Sequence, residues 1–465
     1  MKLKNEFHSL IKIFNANLYN LILSIILILI VPITLGPKEF GIWALYQLVV
    51  SYGGFLLFGL GDGINLKHSG EKLNNFNKHV ISNFNIIILI YLIIMLSLSH
   101  LIIYQFGSLN VFISTFIIGL IVTSKLSYLN LVNQAFSNFN IYSISLLIEK
   151  TVVLLTVLIV INFFEASAIY LILGSISGRF LTIIYISIKL KLNSFEGSIT
   201  KNIILVLKYA KIGLPLTMAV IYSSLVIGVS RIIIPFKLSL EDLGFYAFSI
   251  SITGIFSQLT LSLSTVLFPL LRKSNNQEQG IIIKKFSRIL YIITFIILLS
   301  YYPAQIILEK IFTDYHEGLN YLFYAFPIII MQNRVHVLHN TLYKVYRLEK
   351  EMVKNVKIAL LIGISIFIPV FYIHPNLEIV FFMSIAIYVI WHLLSVSMLN
   401  KIKNLNFKFI DLDIISISCF ILINKFVQNQ QFSLIAFIMY LSLIIITYNK
   451  LIFTYLNNTF SNRKL

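Results

Sequence analysis

Runs of 18 or more residues with few charges recur from one end of this 465-residue chain to the other. Each is long enough for a helix to cross a hydrocarbon layer ~30 Å thick. With 58% hydrophobic and 12% charged residues, the chain has too little polar surface to cover itself in water. Charged residues alone make up ~25% of an ordinary soluble domain. Inside a bilayer the backbone must satisfy its own hydrogen bonds, so runs of this length dictate helices. The expected fold class is an all-α polytopic membrane protein of about 14 transmembrane helices. Fourteen spans can be drawn, each good to a few residues: Ile11–Thr34, Gly41–Leu66, Phe84–Phe106, Val111–Leu131, Ile141–Phe163, Ala168–Leu190, Ile203–Ile234, Leu243–Leu271, Phe286–Phe312, Leu319–Tyr343, Ile358–Ile373, Leu377–Leu399, Ile410–Val427 and Phe432–Tyr455.

Charge placement supports that count. The net charge is +18. With alternating spans, 27 of the 36 Lys and Arg residues fall on the side that carries both termini, and Lys38, Arg231, Lys237, Lys310 and Lys425 fall on the other. Lys125, Lys150, Arg179 and Arg334 lie within or near spans. Excess basic charge marks the cytoplasmic face, so both termini are expected there. No basic stripe sits on a soluble domain, so nucleic acid is not an expected partner. The single cysteine, Cys419, excludes an internal disulfide and any cysteine-based zinc cluster. The N-terminal MKLKNEFHSLIKIF has a basic start, but the apolar run after it is long, holds Pro32 and offers no small-x-small cleavage site. It reads as an uncleaved first span.

One stretch occurs twice. Leu35–Lys67 opens with a Gly36-Pro37 turn, continues as an apolar aromatic helix and ends in Gly61-Asp62-Gly63 and a basic segment. Pro235–Lys273 is a weaker copy, in which Leu243-Gly244-Phe245-Tyr246 aligns with Phe40-Gly41-Ile42-Trp43. Such self-similarity points to a duplicated transporter fold. Six spans precede the second copy, so both copies enter the membrane in the same sense and the repeats are parallel, related by a pseudo-two-fold along the membrane normal. The expected division is an N-terminal lobe of six spans (1–200), a C-terminal lobe of six spans (201–405) and two added spans (406–465). No phosphate loop, HExxH, CxxC or G-x-S-x-G motif occurs. The chain is therefore expected not to be an enzyme, to hold no metal or cofactor, and to draw energy from an ion gradient, the membrane potential, the substrate's own gradient or another protein.

The motif G-P-K-E-F-G-I-W-A-L-Y-Q with the later G-D-G resembles the start of bacterial polysaccharide flippases (Wzx-type) of the multidrug/oligosaccharidyl-lipid/polysaccharide (MOP) exporter superfamily. Gly213-Leu214-Pro215, Ser230-Arg231, Leu243-Gly244-Phe245-Tyr246 and Phe268-Pro269 resemble that family's second repeat. Relatives often carry an acidic residue where this chain has Ser230. The resemblance implies a two-lobed secondary transporter of a bacterial cytoplasmic (inner) membrane that works by alternating access. It would move undecaprenyl-pyrophosphate-linked oligosaccharide (O-antigen or capsule units) from the inner to the outer leaflet, with membrane lipid, a coupling ion (proton or sodium) and polymerase or assembly proteins as partners. The alternatives are an exporter of the same fold for a drug, a cation or a peptidoglycan precursor, and a polytopic polysaccharide polymerase. The short outer loops argue against the polymerase.

Ionisable groups inside spans are costly unless they face protein or water, which makes them functional candidates. Lys150 and Arg179 are expected to line the cavity and bind pyrophosphate or acidic sugars, because the arginine fork suits phosphate. The competing reading is an interhelical Glu149–Arg179 pair that only holds the lobe together. Glu149 and Lys150 are ~100° apart on a helix and need different partners. Arg334 is the candidate cation of the second lobe. Asp62, Glu149, Arg231 and His336 are candidates for gating or coupling, the histidine because imidazole titrates near neutral pH. Asp62 also fits a helix-ending turn. Tyr46, Tyr52 and Tyr128 are candidate sugar contacts, and Gly174 with Gly178 has the small-x-x-x-small spacing of close helix packing.

Overall fold

The structure, a computed structural model, describes residues 2–68, 75–105, 111–136, 138–191, 198–403, 411–427 and 429–442. Every regular element among them is helical. The helices are α1 (Lys2–Ser51), α2 (Leu60–His68), α3 (Asn75–Gln105), α4 (Val111–Ala135), α5 (Phe139–Phe163), α6 (Ala168–Leu190), α7 (Ile199–Lys237), α8 (Leu240–Lys273), α9 (Asn276–Ile311), α10 (His316–Leu319), α11 (Leu322–Asn333), α12 (Asn340–Val345), α13 (Glu349–Ile373), α14 (Leu377–Lys403), α15 (Leu412–Phe426) and α16 (Gln430–Ser442).

Polarity is arranged as in a protein whose solvent is lipid. Leu155, Ile159 and Ile161 on α5 and Ile90, Ile93 and Ile94 on α3 are exposed, whereas Arg179, Arg334, Asp413 and Asn133 are buried. Eight of the described helical stretches have the length and apolar composition to cross a membrane. The chain is a multi-pass α-helical membrane protein.

Several expected spans take a different form. The first and second run together as one helix bent at Gly36, whose φ of 68° and ψ of 170° lie outside the helical region. Only glycine adopts that conformation without strain, and Pro37 follows it at no cost to the new helix start. The second span does not end at Ser51. A 3₁₀ turn over Gly53–Leu57 and left-handed backbone at Phe58 (φ 46°) and Gly59 (φ 87°) lead into α2. The tenth span is divided into α11, a π-helical segment over Arg334–His339 and α12. α15 fills the thirteenth span and α16 the start of the fourteenth, whose remainder lies outside the described residues.

Helix starts follow local chemistry. Ser239 accepts from the Asp242 N–H while the Asp242 carboxylate accepts from the Ser239 N–H, and Asn275 with Glu278 repeats the arrangement at α9. These reciprocal caps satisfy two otherwise orphaned donors at each helix start.

Helices α1–α6 and α7–α14 meet at two crossings. Where α1 meets α8, the carbonyl oxygen of Leu240 lies where a Cβ on Gly41 would sit, and the Pro37 carbonyl blocks a Cβ on Gly244. Where α2 meets α7, the Gly59 carbonyl fills the space of a Gly213 side chain, and the Tyr209 carbonyl that of Gly63. Backbone touches backbone at both places. The second crossing lies toward the end of the bundle that carries Lys67, Lys189, Lys201, Lys208 and Lys211, here the basic end. The first lies toward the opposite end. The largest apolar cluster joins both groups and α15, from Tyr46 and Val50 through Tyr246 and Trp391 to Phe420.

Candidate substrate site between the helix groups

Two cavities lie between these crossings, along one wall of α1. The one nearer the basic end has a volume of about 290 Å³. Ser51, Gly54, Phe55 and Asp62 line it from the second span, Ser127, Asn130 and Gln134 from α4, Tyr142 from α5, and Thr217 and Val220 from α7. The other, about 140 Å³, is lined by Leu27, Val31, Phe40, Trp43 and Gln47 of α1, Val153 of α5, Arg231 of α7 and Ser251 of α8. Gln47 and Ser51 are one turn apart, so the two cavities are neighbours ~6 Å apart along that helix. Between their levels, Leu48 and the Tyr52 hydroxyl pack against Gly228.

The two cavities differ in charge. Asp62 accepts a hydrogen bond from the Thr217 hydroxyl across the α2–α7 crossing, and no ion pair forms on it among the described residues. Every other polar group lining that cavity is a hydroxyl or a carboxamide. In the second cavity Arg231 has no hydrogen bond or ion pair among the described residues, and its Nε is buried without a partner. A guanidinium withdrawn from bulk water with no acceptor is in deficit until an anion or ordered water reaches it.

The other intramembrane charges lie outside both linings. Arg179 on α6 is buried. Its Nε donates to Glu149 Oε1 at 2.8 Å, and a terminal nitrogen donates to the Thr123 hydroxyl at 2.9 Å and the Tyr46 hydroxyl at 3.2 Å. That pair ties α1, α4, α5 and α6 together. Lys150, turned ~100° away, donates to the Ser24 hydroxyl on α1. Gly174 packs on Thr156 and Gly178 on Val152 and the Glu149 backbone, so that spacing serves the α5–α6 contact. Tyr128 is buried and donates to the Ile81 carbonyl at 3.0 Å.

Arg334 is buried among α9, the π-helical segment and the start of α15. It lies 3.2 Å from Asp411 and 3.4 Å from Asp413. It also donates to the Ser287 and Tyr291 hydroxyls at 2.8 and 3.0 Å, and Asp413 accepts from Thr294 at 2.7 Å. His392 Nε2 is 3.5 Å from Asp411, and His339 contacts His392 at 3.0 Å. His336 lies edge-on to Trp391 at 5.6 Å. Of the seven candidate charges, the structure brings Asp62 and Arg231 to the inter-group space. It pairs Glu149 with Arg179, and it leaves Lys150, Arg334 and His336 in other packing.

Sequence reasoning missed the polar stripe Ser127, Asn130, Gln134, although its spacing of three and four puts it on one face of an otherwise apolar helix. It also missed Trp43 and Gln47 beside Arg231. Asp411 and Asp413 went unnoticed as partners of Arg334, though a D-x-D opening a span was visible.

The fold is similar to that of several solved flippase and multidrug-transporter structures. The chain is similar to the lipid II flippase MurJ in an inward closed conformation (TM-score 0.65, 16% identity, 95% of this chain and 100% of that one). It is also similar to an inward-facing multidrug resistance MATE family transporter of the MOP superfamily (TM-score 0.61, 13% identity, 82% and 92%), and to the eukaryotic MATE transporter AtDTX14 (TM-score 0.54, 12% identity, 83% and 92%). No curated protein matches the sequence. The family model described as polysaccharide biosynthesis protein matches residues 8–275, more than half of the chain, and the protein belongs to that family.

Proposed function

We propose that the protein is a flippase that carries a lipid-linked, pyrophosphate-bearing oligosaccharide from the inner to the outer leaflet of a bacterial cytoplasmic membrane, with the basic end cytoplasmic. The observation that carries this reading is Arg231: a guanidinium with no partner among the described residues, at a cavity between the two helix groups, with Trp43 and Gln47 beside it. Arginine's planar fork matches phosphate oxygens. Trp43 supplies an apolar ring face and Gln47 a group that both donates and accepts hydrogen bonds. In this mechanism α1–α6 and α7–α14 rock as two lobes, opening the α2–α7 and α1–α8 crossings in turn. The polar head passes between them while the lipid tail stays in the bilayer.

The test is a leaflet-resolved assay in proteoliposomes with a polyprenyl-pyrophosphate trisaccharide labelled on its sugar. The protein should equalise label between leaflets, and Arg231→Gln should slow this about ten-fold or more. Equal distributions with and without the protein would count against the reading. A second reading, export of a cationic amphiphile, is favoured by the acidic cavity at Asp62 and the MATE-like fold. Protein-dependent extrusion of a lipophilic cation with no movement of the trisaccharide would select it.

A further inference from the structure

We propose that the cavity at Asp62 is a saccharide subsite that accepts uncharged or amine-bearing sugars and rejects acidic ones. This rests on the flippase reading, in which the Arg231 cavity serves the phosphate. The volume, about 290 Å³, sits at the lower end of the ~300–1,000 Å³ range of small-molecule sites.

Its lining has the chemistry that sugars require. A sugar hydroxyl both donates and accepts, so its best partners are carboxylates and carboxamides that meet neighbouring hydroxyls in pairs. Asn130 and Gln134 are one turn apart on α4, and Asp62 faces them from the second span. Ser127 and Tyr142 add hydroxyls, and the Phe55 ring is in the same wall. The Ser145 hydroxyl lies 2.6 Å from the Tyr142 carbonyl and 2.9 Å from the Asn130 carboxamide, so it meets one end of that amide and leaves the other for a ligand.

The charge of the cavity sets its selectivity. Among the described residues no lysine, arginine or histidine lines it. Thr217 satisfies one oxygen of Asp62, and the other has no partner among the described residues. A uronic acid in this space would bring a second carboxylate beside the first with no cation between them, whereas a neutral sugar adds only hydrogen bonds and an aminosugar adds a counter-charge. Arg231 is 14 residues from Thr217 on α7, ~20 Å along the helix. The phosphate site therefore does not neutralise Asp62.

The experiment uses the full-length protein and two readouts. Equilibrium dialysis in detergent measures binding of two free trisaccharides, one built only of hexose and N-acetylhexosamine and one with a hexuronic acid. The leaflet assay uses the same two glycans on polyprenyl pyrophosphate. Wild-type protein should prefer the neutral glycan about ten-fold in both. Asp62→Asn, which keeps the bond with Thr217, should reduce the preference to about three-fold or less by admitting the acidic glycan. Asn130→Ala should weaken both glycans together. Equal affinity of wild-type protein for the two glycans, or unchanged discrimination in Asp62→Asn, would overturn the proposal, as would tighter binding of a lipophilic cation than of either glycan. Discrimination in dialysis without movement in liposomes would overturn the flippase reading and leave the subsite standing.

Discussion

Three arginines in spans differ in what faces them. Arg179 has Glu149, Thr123 and Tyr46 as acceptors, and Arg334 has two aspartates. Arg231 has none among the described residues. Removing Arg179 leaves the Glu149 carboxylate in low dielectric without its partner, so Arg179→Ala should cost about 3 kcal/mol of stability. The double variant Glu149→Gln/Arg179→Ala should recover a large part of it, as a double-mutant cycle on thermal unfolding in detergent will reveal. Arg231→Gln should leave the unfolding temperature within about a degree and act on transport alone. The sequence marked Arg179 and Arg334 as intramembrane charges and put Arg231 at the outer end of its span, but could not rank the three. Rank depends on which helix faces which, and the acceptors come from residues 30 to 133 positions away along the chain.

At the scale of elements, the glycine-lined crossings are the joints of the molecule. A branched side chain at Gly244 would overlap the Pro37 carbonyl, and one at Gly213 the Gly59 carbonyl. Gly244→Val should hold the end opposite the basic end open. A cysteine placed at Gln47 in a Cys419→Ser background should then react faster with a polar thiol reagent added from that side, and Gly213→Val should have the mirror effect on a cysteine at Ser127. α15 is held by charge as well as by packing, through Asp411 and Asp413 on Arg334. Arg334→Leu strands two buried carboxylates and should release α15, which limited proteolysis near residue 410 will report. Much at this scale was legible. The Gly36-Pro37 turn, the Gly41/Gly244 alignment and most span limits follow from apolar run length and turn chemistry. The break in the second span and the π-helical stretch in the tenth were not. Both interrupt continuous apolar sequence, and both owe their shape to tertiary contacts, the first to α7 and the second to the Arg334 cluster.

At the scale of the whole molecule, exposed leucine and isoleucine outside and buried polar side chains within describe a chain dissolved in lipid. The charge distribution predicts a fixed orientation. Reporters fused to the two termini should both respond from the cytoplasmic side, and a split result would reduce the span count by an odd number. Backbone meets backbone at both crossings, and the Asp62 and Arg231 cavities lie between the two helix groups. Neither cavity could be read from the sequence, because each is assembled from four or five helices, and α5, α7 and α8 give the Arg231 cavity one residue apiece.

The interruption of the second span between Ser51 and Leu60 has a mechanical consequence. Above it the span leans on α8, and below it the short α2 leans on α7. In the proposed cycle each portion would answer to a different neighbour, with the 3₁₀ turn and the left-handed Phe58 and Gly59 as a universal joint. Phe58 itself projects outward and is 61% exposed. A hydrophobic wedge lodged there from the lipid would stiffen the coupling and arrest the cycle at both mouths at once, without competing with cargo for either cavity.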